Sequence, residues 1–316
     1  MNYSVVIPSY RSEAFIGRAI ESCLAEGIAG SNIFVVEDGV YDNTALVVKK
    51  YPEVNLIQLE ENSGAPSARN LGLTRVHTDY IMFLDADDYI ENSLATGLIN
   101  AAISTDADVV FGPWRYGGDH RNDGVIRRPE VKTTQRWLIS WLNFQIVPTC
   151  SVLWKTSTIK RIGAWDERLK KNQDGELMVR AFLEKVKIAY TNDGCGVYWQ
   201  HNSPNRVSSA SYKSRIFTSD VIYKNILDTA NEEPNVFGSE DFLFEVGRFC
   251  CKTAWFAAEG SDKKEYCRWT VRARNLGFKK FGYNRKSDLM ARLIGLKYAA
   301  KLKNKIRPFF IFAIQR

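Results

Sequence analysis

Four short apolar runs punctuate the N-terminal part of the chain, at residues 5–7, 33–36, 55–59 and 80–84. Each is too short for a helix and rich enough in Val, Ile, Leu and Phe to predict a buried strand. Apolar residues at helical spacing fill the gaps, over 14–24, 44–50 and 66–74. Strand and helix in alternation predict an α/β fold, with a mostly parallel sheet flanked by helices. The last third reads differently. Residues 217–227, 240–257 and 264–276 carry helical spacing, with no strand pattern and no repeat period. Residues 117–124 read as a loop or hairpin, and the polar stretch 204–214 as a linker. The expected division is therefore 1–210 as one α/β domain and 211–316 as a helical region.

The polar residues that end the four apolar runs suggest chemistry. Pro8-Ser9-Tyr10 follows the first run, and Glu37-Asp38-Gly39 the second. Glu60-Glu61-Asn62-Ser63-Gly64 follows the third, and Asp85-Ala86-Asp87-Asp88 the fourth. In open α/β sheets, ligands bind beyond the carboxyl ends of the strands. Three carboxylates at the end of a buried strand repel one another, and a hard divalent cation relieves that repulsion. Asp85 and Asp87 are two apart, so along extended chain they share a face. A plainer reading stands beside this one: a solvated acidic turn with Asp88 opening the next helix.

Ser4-Val5-Val6-Ile7-Pro8-Ser9-Tyr10 resembles the opening strand of the family 2 glycosyltransferases. Val36-Glu37-Asp38-Gly39 with Asp42-Asn43-Thr44 resembles their second acidic motif, with Glu37 where Asp is commoner. Asn62 through Asn70 is similar to their Gly-to-Ala-Arg-Asn segment, and Phe83-Leu84-Asp85-Ala86-Asp87-Asp88 to their metal motif. Gly163-Ala164-Trp165-Asp166-Glu167, followed by Asp174 through Arg180, resembles their acceptor-loop and base region. Five motifs in family order, over roughly two-thirds of the chain, are far more specific than any one of them.

The resemblance implies the GT-A fold and assigns roles. Asp87 would bind Mn²⁺ or Mg²⁺ directly, and Asp85 would hold the ribose or a metal-bound water. Asp38 would accept a hydrogen bond from uracil, with Pro8, Ser9 and Tyr10 walling the nucleoside. Arg69 would contact the nucleotide, or else pair with the acidic cluster. His201, in Tyr198-Trp199-Gln200-His201 followed by Ser208-Ser209, would complete the metal site or serve as a structural imidazole. Asp174 would be the general base, since a single displacement with inversion needs one carboxylate to deprotonate the acceptor hydroxyl. Its alternative is a helix cap. Gln173 replaces the Glu of the family's frequent Glu-Asp pair, which leaves Glu176 as a second candidate base.

The implied reaction is inverting, metal-dependent transfer of a sugar from a nucleotide sugar, UDP-linked by preference. The expected acceptor is a saccharide or lipid-linked hydroxyl in bacterial surface polysaccharide synthesis. Two other classes stand as alternatives. One is a nucleotide-binding or scaffold protein without catalysis. The other is a nucleotidyltransferase, which would ordinarily carry a Gly-rich basic loop where Pro8-Ser9-Tyr10 stands.

Charge adds a question of place. From Lys263 to Arg316 there are 16 Lys and Arg against 2 Asp and Glu, although the whole chain nets only +7. Leu289, Leu293, Leu296 and Ala300 follow helical spacing among Lys297, Lys301, Lys303 and Lys305, with Phe309-Phe310-Ile311-Phe312 beyond. This suits a helix on an anionic membrane surface, or equally a helix packed on the protein's own core. No nucleic-acid signature accompanies the basic tail, so no nucleic-acid partner is expected. No apolar run approaches the roughly 20 residues of a membrane helix. No signal peptide is recognisable, and Cys23, Cys150, Cys195, Cys250, Cys251 and Cys267 lack zinc or disulfide-scaffold spacing. The expected location is cytoplasmic, with the tail bringing the protein to the cytosolic face of the inner membrane in the membrane reading. His77 and His120 read as surface residues.

Overall fold

The computed structural model describes residues 3–39, 42–118, 122–201, 211–280, 282 and 288. Two compact units divide the chain. The first comprises Met1–Trp137, Ile146–Arg168 and Gln173–Pro204; the second comprises Leu138–Gln145, Leu169–Asn172 and Asn205–Arg316.

The first unit holds both sheets. Its opening elements follow the expected alternation: β1 (Tyr3–Ser9), α1 (Ile16–Ala25), β2 (Ile33–Asp38), α2 (Thr44–Val48), β3 (Asn55–Leu59), α3 (Ala65–Arg75) and β4 (Tyr80–Phe83). Then come β5 (Tyr89–Glu91), α4 (Leu94–Thr105), β6 (Val109–Phe111), β7 (Trp114–Gly118) and α5 (Thr134–Leu142), whose residues from Leu138 on belong to the second unit. β8 (Val152–Lys155), α6 (Thr156–Arg161), α7 (Gln173–Leu183), β9 (Ile188–Tyr190) and β10 (Cys195–Gln200) complete the series. A seven-stranded sheet has the order β3-β2-β1-β4-β8-β6-β9, and a smaller sheet the order β5-β10-β7.

The chain runs outward from β1 to β2 and β3, then returns to place β4 on the other side of β1. The gap between β1 and β4 is thus the topological switch point, where open α/β sheets bind ligands. Both faces of these strands are covered. Val5, Ile7 and Val35 join Ile16, Ala19 and Ile20 of α1 in one core. On the other face α3 packs against β1 and β2. Gly72 permits that approach, because a Cβ there would lie 2.4 Å from Val6 and 3.3 Å from Val36. Side chains buried on both faces explain why β1, β2 and β4 read as continuous apolar runs, whereas β3, expected to be buried, is a half-buried edge strand with Gln58 exposed.

The sheet is mixed beyond β4. β8 runs antiparallel to both β4 and β6, while β6 and β9 are parallel. Asp88 does not open a helix; the three-residue strand β5 follows it, and α4 begins only at Leu94. Near the expected loop, Trp114 and Arg127 bridge with antiparallel backbone hydrogen bonds of 2.9 and 2.7 Å. His77 is exposed, and His120 lies outside the described residues. All six cysteines are free, and five are buried.

The second unit is helical where described, with α8 (Tyr212–Glu232), α9 (Pro234–Phe237), α10 (Glu240–Glu259) and α11 (Lys263–Asn275). Ser211, Ser239 and Asp262 cap α8, α10 and α11 through their side chains. Asp220 of α8 pairs with Arg268 and Arg272 of α11 at 2.5 Å each. Trp255 and Trp269 are fully buried there. No helix among the described residues is long and apolar enough to cross a membrane. The proposed amphipathic stripe at 289–300, Phe309 to Phe312, and Ser208-Ser209 lie outside the described residues.

Candidate active site

Two acidic corners form beside the switch point. The first is built on Arg69 of α3, which is almost fully buried. Its Nη2 donates to Asp85 Oδ1 at 2.5 Å, and its Nη1 donates to Gln173 Oε1 at 3.1 Å. The guanidinium carbon lies 4.3 Å from the centre of the Trp165 ring, which itself meets Phe83 edge-on. Thr149 Oγ1 reaches Asp85 Oδ2 at 3.5 Å. The ion pair of Arg69 with the acidic cluster, one of its two readings, is thus formed.

Asp174 belongs to this corner. It stands in the first turn of α7, where an N-terminal helix end favours carboxylates. Some of its surface remains exposed, yet dense neighbouring protein pushes its carboxyl above the usual carboxylate value. Arg69 opposes that shift, the charge of Asp85 adds to it, and the backbone N–H groups of Gly175 and Asp174 oppose it. Glu176, the second candidate, is spent otherwise. It is buried and accepts from Arg180 Nε at 2.6 Å and Nη2 at 2.8 Å. Arg180 in turn donates to the backbone oxygens of Ile162 and Ala164, fixing the Gly163-Ala164 turn.

That loop is locked to α3 as well. Asn70 donates to Trp165 O and Glu167 Oε1 and accepts from Trp165 N. Ser67 Oγ donates to Glu167 Oε2 at 2.9 Å. The Ala-Arg-Asn segment therefore supplies one residue, Arg69, to the acidic corner and its neighbour, Asn70, to the loop. Nothing in the spacing of either motif announces that pairing.

The second corner joins Asp87 and His201. Asp87 follows β4 and precedes β5; His201 follows β10 directly. β5 and β10 pair antiparallel with Tyr89 opposite Val197, which carries the two residues to the same end. Asp87 Oδ2 lies 2.9 Å from His201 Nε2. The imidazole also rests against the Phe15 ring, with centroids 4.5 Å apart. Asp88 is fully buried and accepts from Trp199 N at 2.8 Å, a strand-fastening role. Among the described residues no three His, Cys, Asp or Glu cluster as a ready-made metal cage. A carboxylate beside an imidazole still fits a hard divalent ion that takes its remaining ligands from phosphate and water.

The residues expected to wall a nucleoside stand at the ends of β1 and β2. Pro8 and Ser9 are buried at the end of β1, and Tyr10 is half-buried with Arg11 over its ring. Asp38, nearly fully buried, accepts from Ser63 N at 2.7 Å and Gly64 N at 2.8 Å. Gly64 has φ +93°, a left-handed conformation that suits glycine, immediately before α3. Asp38 thus organises the turn that launches α3. Glu37 points elsewhere: it is buried and accepts from Gln58 Nε2 at 2.8 Å.

Known proteins are similar to this chain in sequence and fold. The family model described as "Glycosyl transferase family 2" matches residues 4–162, half of the chain. The glycosyltransferase EpsJ of Bacillus subtilis is 25% identical over 228 residues, covering 66% of this chain and 64% of its own. The poly(ribitol-phosphate) beta-N-acetylglucosaminyltransferase TarS of Staphylococcus aureus is 28% identical over 222 residues, covering 66% of this chain but only 37% of its own. The chain therefore spans less than two-thirds of either relative. The crystal structure of S. aureus TarS 1–349 with UDP-GlcNAc superposes with a TM-score of 0.62 at 20% identity, covering 87% of this chain and 92% of that one. The fold is that of the GT-A transferases, and with a family model matched over half its length, the chain belongs to glycosyl transferase family 2.

Proposed function

We propose that the protein is an inverting glycosyltransferase that moves a sugar from a UDP-sugar to a hydroxyl of a saccharide or lipid-linked acceptor in surface polysaccharide synthesis. The observation that carries this reading is the meeting of Asp85, Arg69 and Asp174 in one corner and Asp87 with His201 in another, beside one switch point. UDP-GlcNAc is the first donor to try, because a solved protein of this fold binds it.

Asp87 and His201 would hold Mn²⁺ or Mg²⁺ together with diphosphate oxygens. When bound, that ion neutralises charge developing on the leaving diphosphate. Pro8, Ser9, Tyr10, Asp38 and Arg69 would frame the nucleoside, and Asp85 the ribose. Asp174 accepts the acceptor's hydroxyl proton. The acceptor oxygen then bonds to the anomeric carbon as the bond from that carbon to the diphosphate oxygen breaks, its electron pair leaving with UDP. One displacement inverts the centre, and one base suffices. The raised proton affinity of Asp174 suits the task, bringing it closer to the working pH of a base.

Residues 1–210 would carry this chemistry. Residues 211–316 would be an accessory region whose basic tail meets anionic lipid on the cytosolic face of a membrane; the charge of 263–316 supports this. Sedimentation with anionic vesicles at low and high salt tests it, and no binding to either would remove the membrane from the reading.

A panel of UDP-sugars with Mn²⁺, assayed for hydrolysis and for transfer to saccharide acceptors, tests the main reading. Turnover of one donor with inversion is expected. Tight UDP binding without hydrolysis or transfer across the panel would favour a nucleotide-binding protein without catalysis.

A further inference from the structure

The polar row on α1 has no part in the reaction described above. Arg18 and Ser22 of α1, and Glu26, which caps its C-terminal end, are spaced four apart and so share one side. Each reaches the backbone of the segment that follows Asp85. Arg18 Nη2 donates to Asp87 O at 2.6 Å. Ser22 Oγ accepts from Ile90 N at 3.3 Å. Glu26 accepts from Ser93 N at 2.8 Å and Ala95 N at 3.1 Å. The helix is a rail along which residues 87–95 are fastened, and α1 is itself anchored in the core by Ile16, Ala19 and Ile20.

Only the first rung touches the Asp87–His201 corner, and it touches both sides of it. The Arg18 guanidinium carbon lies 4.0 Å from the Trp199 ring centre and 4.7 Å from that of Tyr89. Tyr89 stands two residues after Asp87, and Trp199 two residues before His201. Phe15, three residues before Arg18 on the helix, holds the His201 ring. One planar cation therefore bonds the main chain of Asp87 and stacks on the strand that delivers His201. Lysine could not do both, since it lacks the flat fork that stacks and donates together.

The geometry points to Arg18 as the positioning residue of this corner: it sets the Asp87–His201 separation and thereby the affinity for the divalent cation that completes the UDP site. The inference rests on the metal reading given under the proposed function. Residues behind metal ligands commonly govern affinity by about 10–100-fold.

The test uses the full chain and reads binding rather than turnover. Mn²⁺ is titrated at fixed UDP, followed by thermal shift and by the paramagnetic resonance of free Mn²⁺. Arg18→Met keeps the stem between the two rings but removes the donor and the charge. Its Mn²⁺ midpoint should rise about tenfold or more, while its metal-free melting temperature stays near wild type. Arg18→Lys should fall between. Glu26→Gln, lower on the same rail, should change melting temperature without moving the midpoint. If Arg18→Met does not fold, Arg18→Lys decides, with a rise of at least about threefold expected. An unmoved midpoint in a folded Arg18 variant overturns the inference, as does an equal shift in Glu26→Gln. A wild-type protein whose UDP binding ignores Mn²⁺ defeats the metal reading itself, an outcome visible before any variant is made.

Discussion

The two acidic corners of the site solve the same electrostatic problem in different ways. In the Asp85–Asp174 corner the counter-charge is part of the fold: Arg69 is buried, paired with Asp85 and stacked on Trp165. In the Asp87–His201 corner a carboxylate faces an imidazole, a side chain that commonly binds metals. A permanent cation fixes the charge of the first corner, whereas the second sets its carboxylate beside an imidazole. Under the proposed function, that difference would give the base to one corner and the leaving diphosphate to the other.

The sharpest way to break this assignment is Asp174→Asn. The amide keeps size and much of the helix-end hydrogen bonding but cannot take a proton. Transfer should fall by roughly 100-fold or more, with UDP affinity near wild type. The stability effect runs the other way. Burial raises the folded-state proton affinity of Asp174, so the folded state binds more protons than the unfolded one in the window above pH 3.8. Stability from this group is present at low pH and lost as pH rises through the raised value. At neutral pH the neutral Asn variant should therefore melt at or above the wild-type temperature. Undiminished transfer by Asp174→Asn would falsify the base assignment.

The opposite corner gives the next largest effect. Wild-type protein at 100 times the dissociation constant of the Mn²⁺–UDP pair should gain about 2.7 kcal/mol of stability. Asp87→Ala should lose most of the metal-dependent part, and His201→Ala a smaller share. Calorimetry with and without chelator separates the metal-dependent part from bare UDP binding. Equal UDP affinity in wild type and Asp87→Ala, with metal and without it, would move the cation away from this corner.

Arg69→Gln connects the corners to pH. Arg69 holds down the proton affinity of Asp174, so its loss should raise that affinity further. The acid limb of the pH–rate profile should move to higher pH, because the base works only when deprotonated. An acid limb that stays in place would show that the limb reports some other group.

Much of this was legible in the sequence because the signals are local. Apolar runs ended by Ser9, Asp38 and Asp85 locate the carboxyl edge of β1, β2 and β4. The meeting of Asp87 with His201 spans 114 positions, and only the family resemblance, not any local pattern, brings the two residues together. The illegible parts depend on contacts distant in the chain. Arg18 reads as one more polar residue on an amphipathic helix, and its bond to Asp87 spans 69 positions. Strand β5 is three residues long, too short for periodicity to distinguish it from a helix start. The antiparallel setting of β8 leaves no trace in a four-residue strand of which three residues are buried. Asp38 was expected to face the base, yet the fold also uses its two oxygens to hold the Ser63-Gly64 turn, a demand that no local pattern displays.

Glu176 offers the finest discrimination, because it is a carboxylate two residues from Asp174 on the same helix. If proximity in sequence decided the role, the two would be interchangeable. Their surroundings say otherwise: the Glu176 carboxylate is gripped at both oxygens by Arg180, which in turn pins the Ile162–Ala164 backbone. A buried carboxylate with both oxygens engaged by a guanidinium is a strong structural tie. Glu176→Ala should lower stability by roughly 3–5 kcal/mol, since Arg180 loses its carboxylate and keeps the carbonyls of Ile162 and Ala164. Transfer per folded molecule should change by no more than about twofold, because no interaction of the transition state has been removed. Melting temperature and transfer rate measured on one preparation decide it. A stable Glu176→Ala protein with abolished transfer would place the base in the Arg180 pair and dissolve the contrast between the two corners.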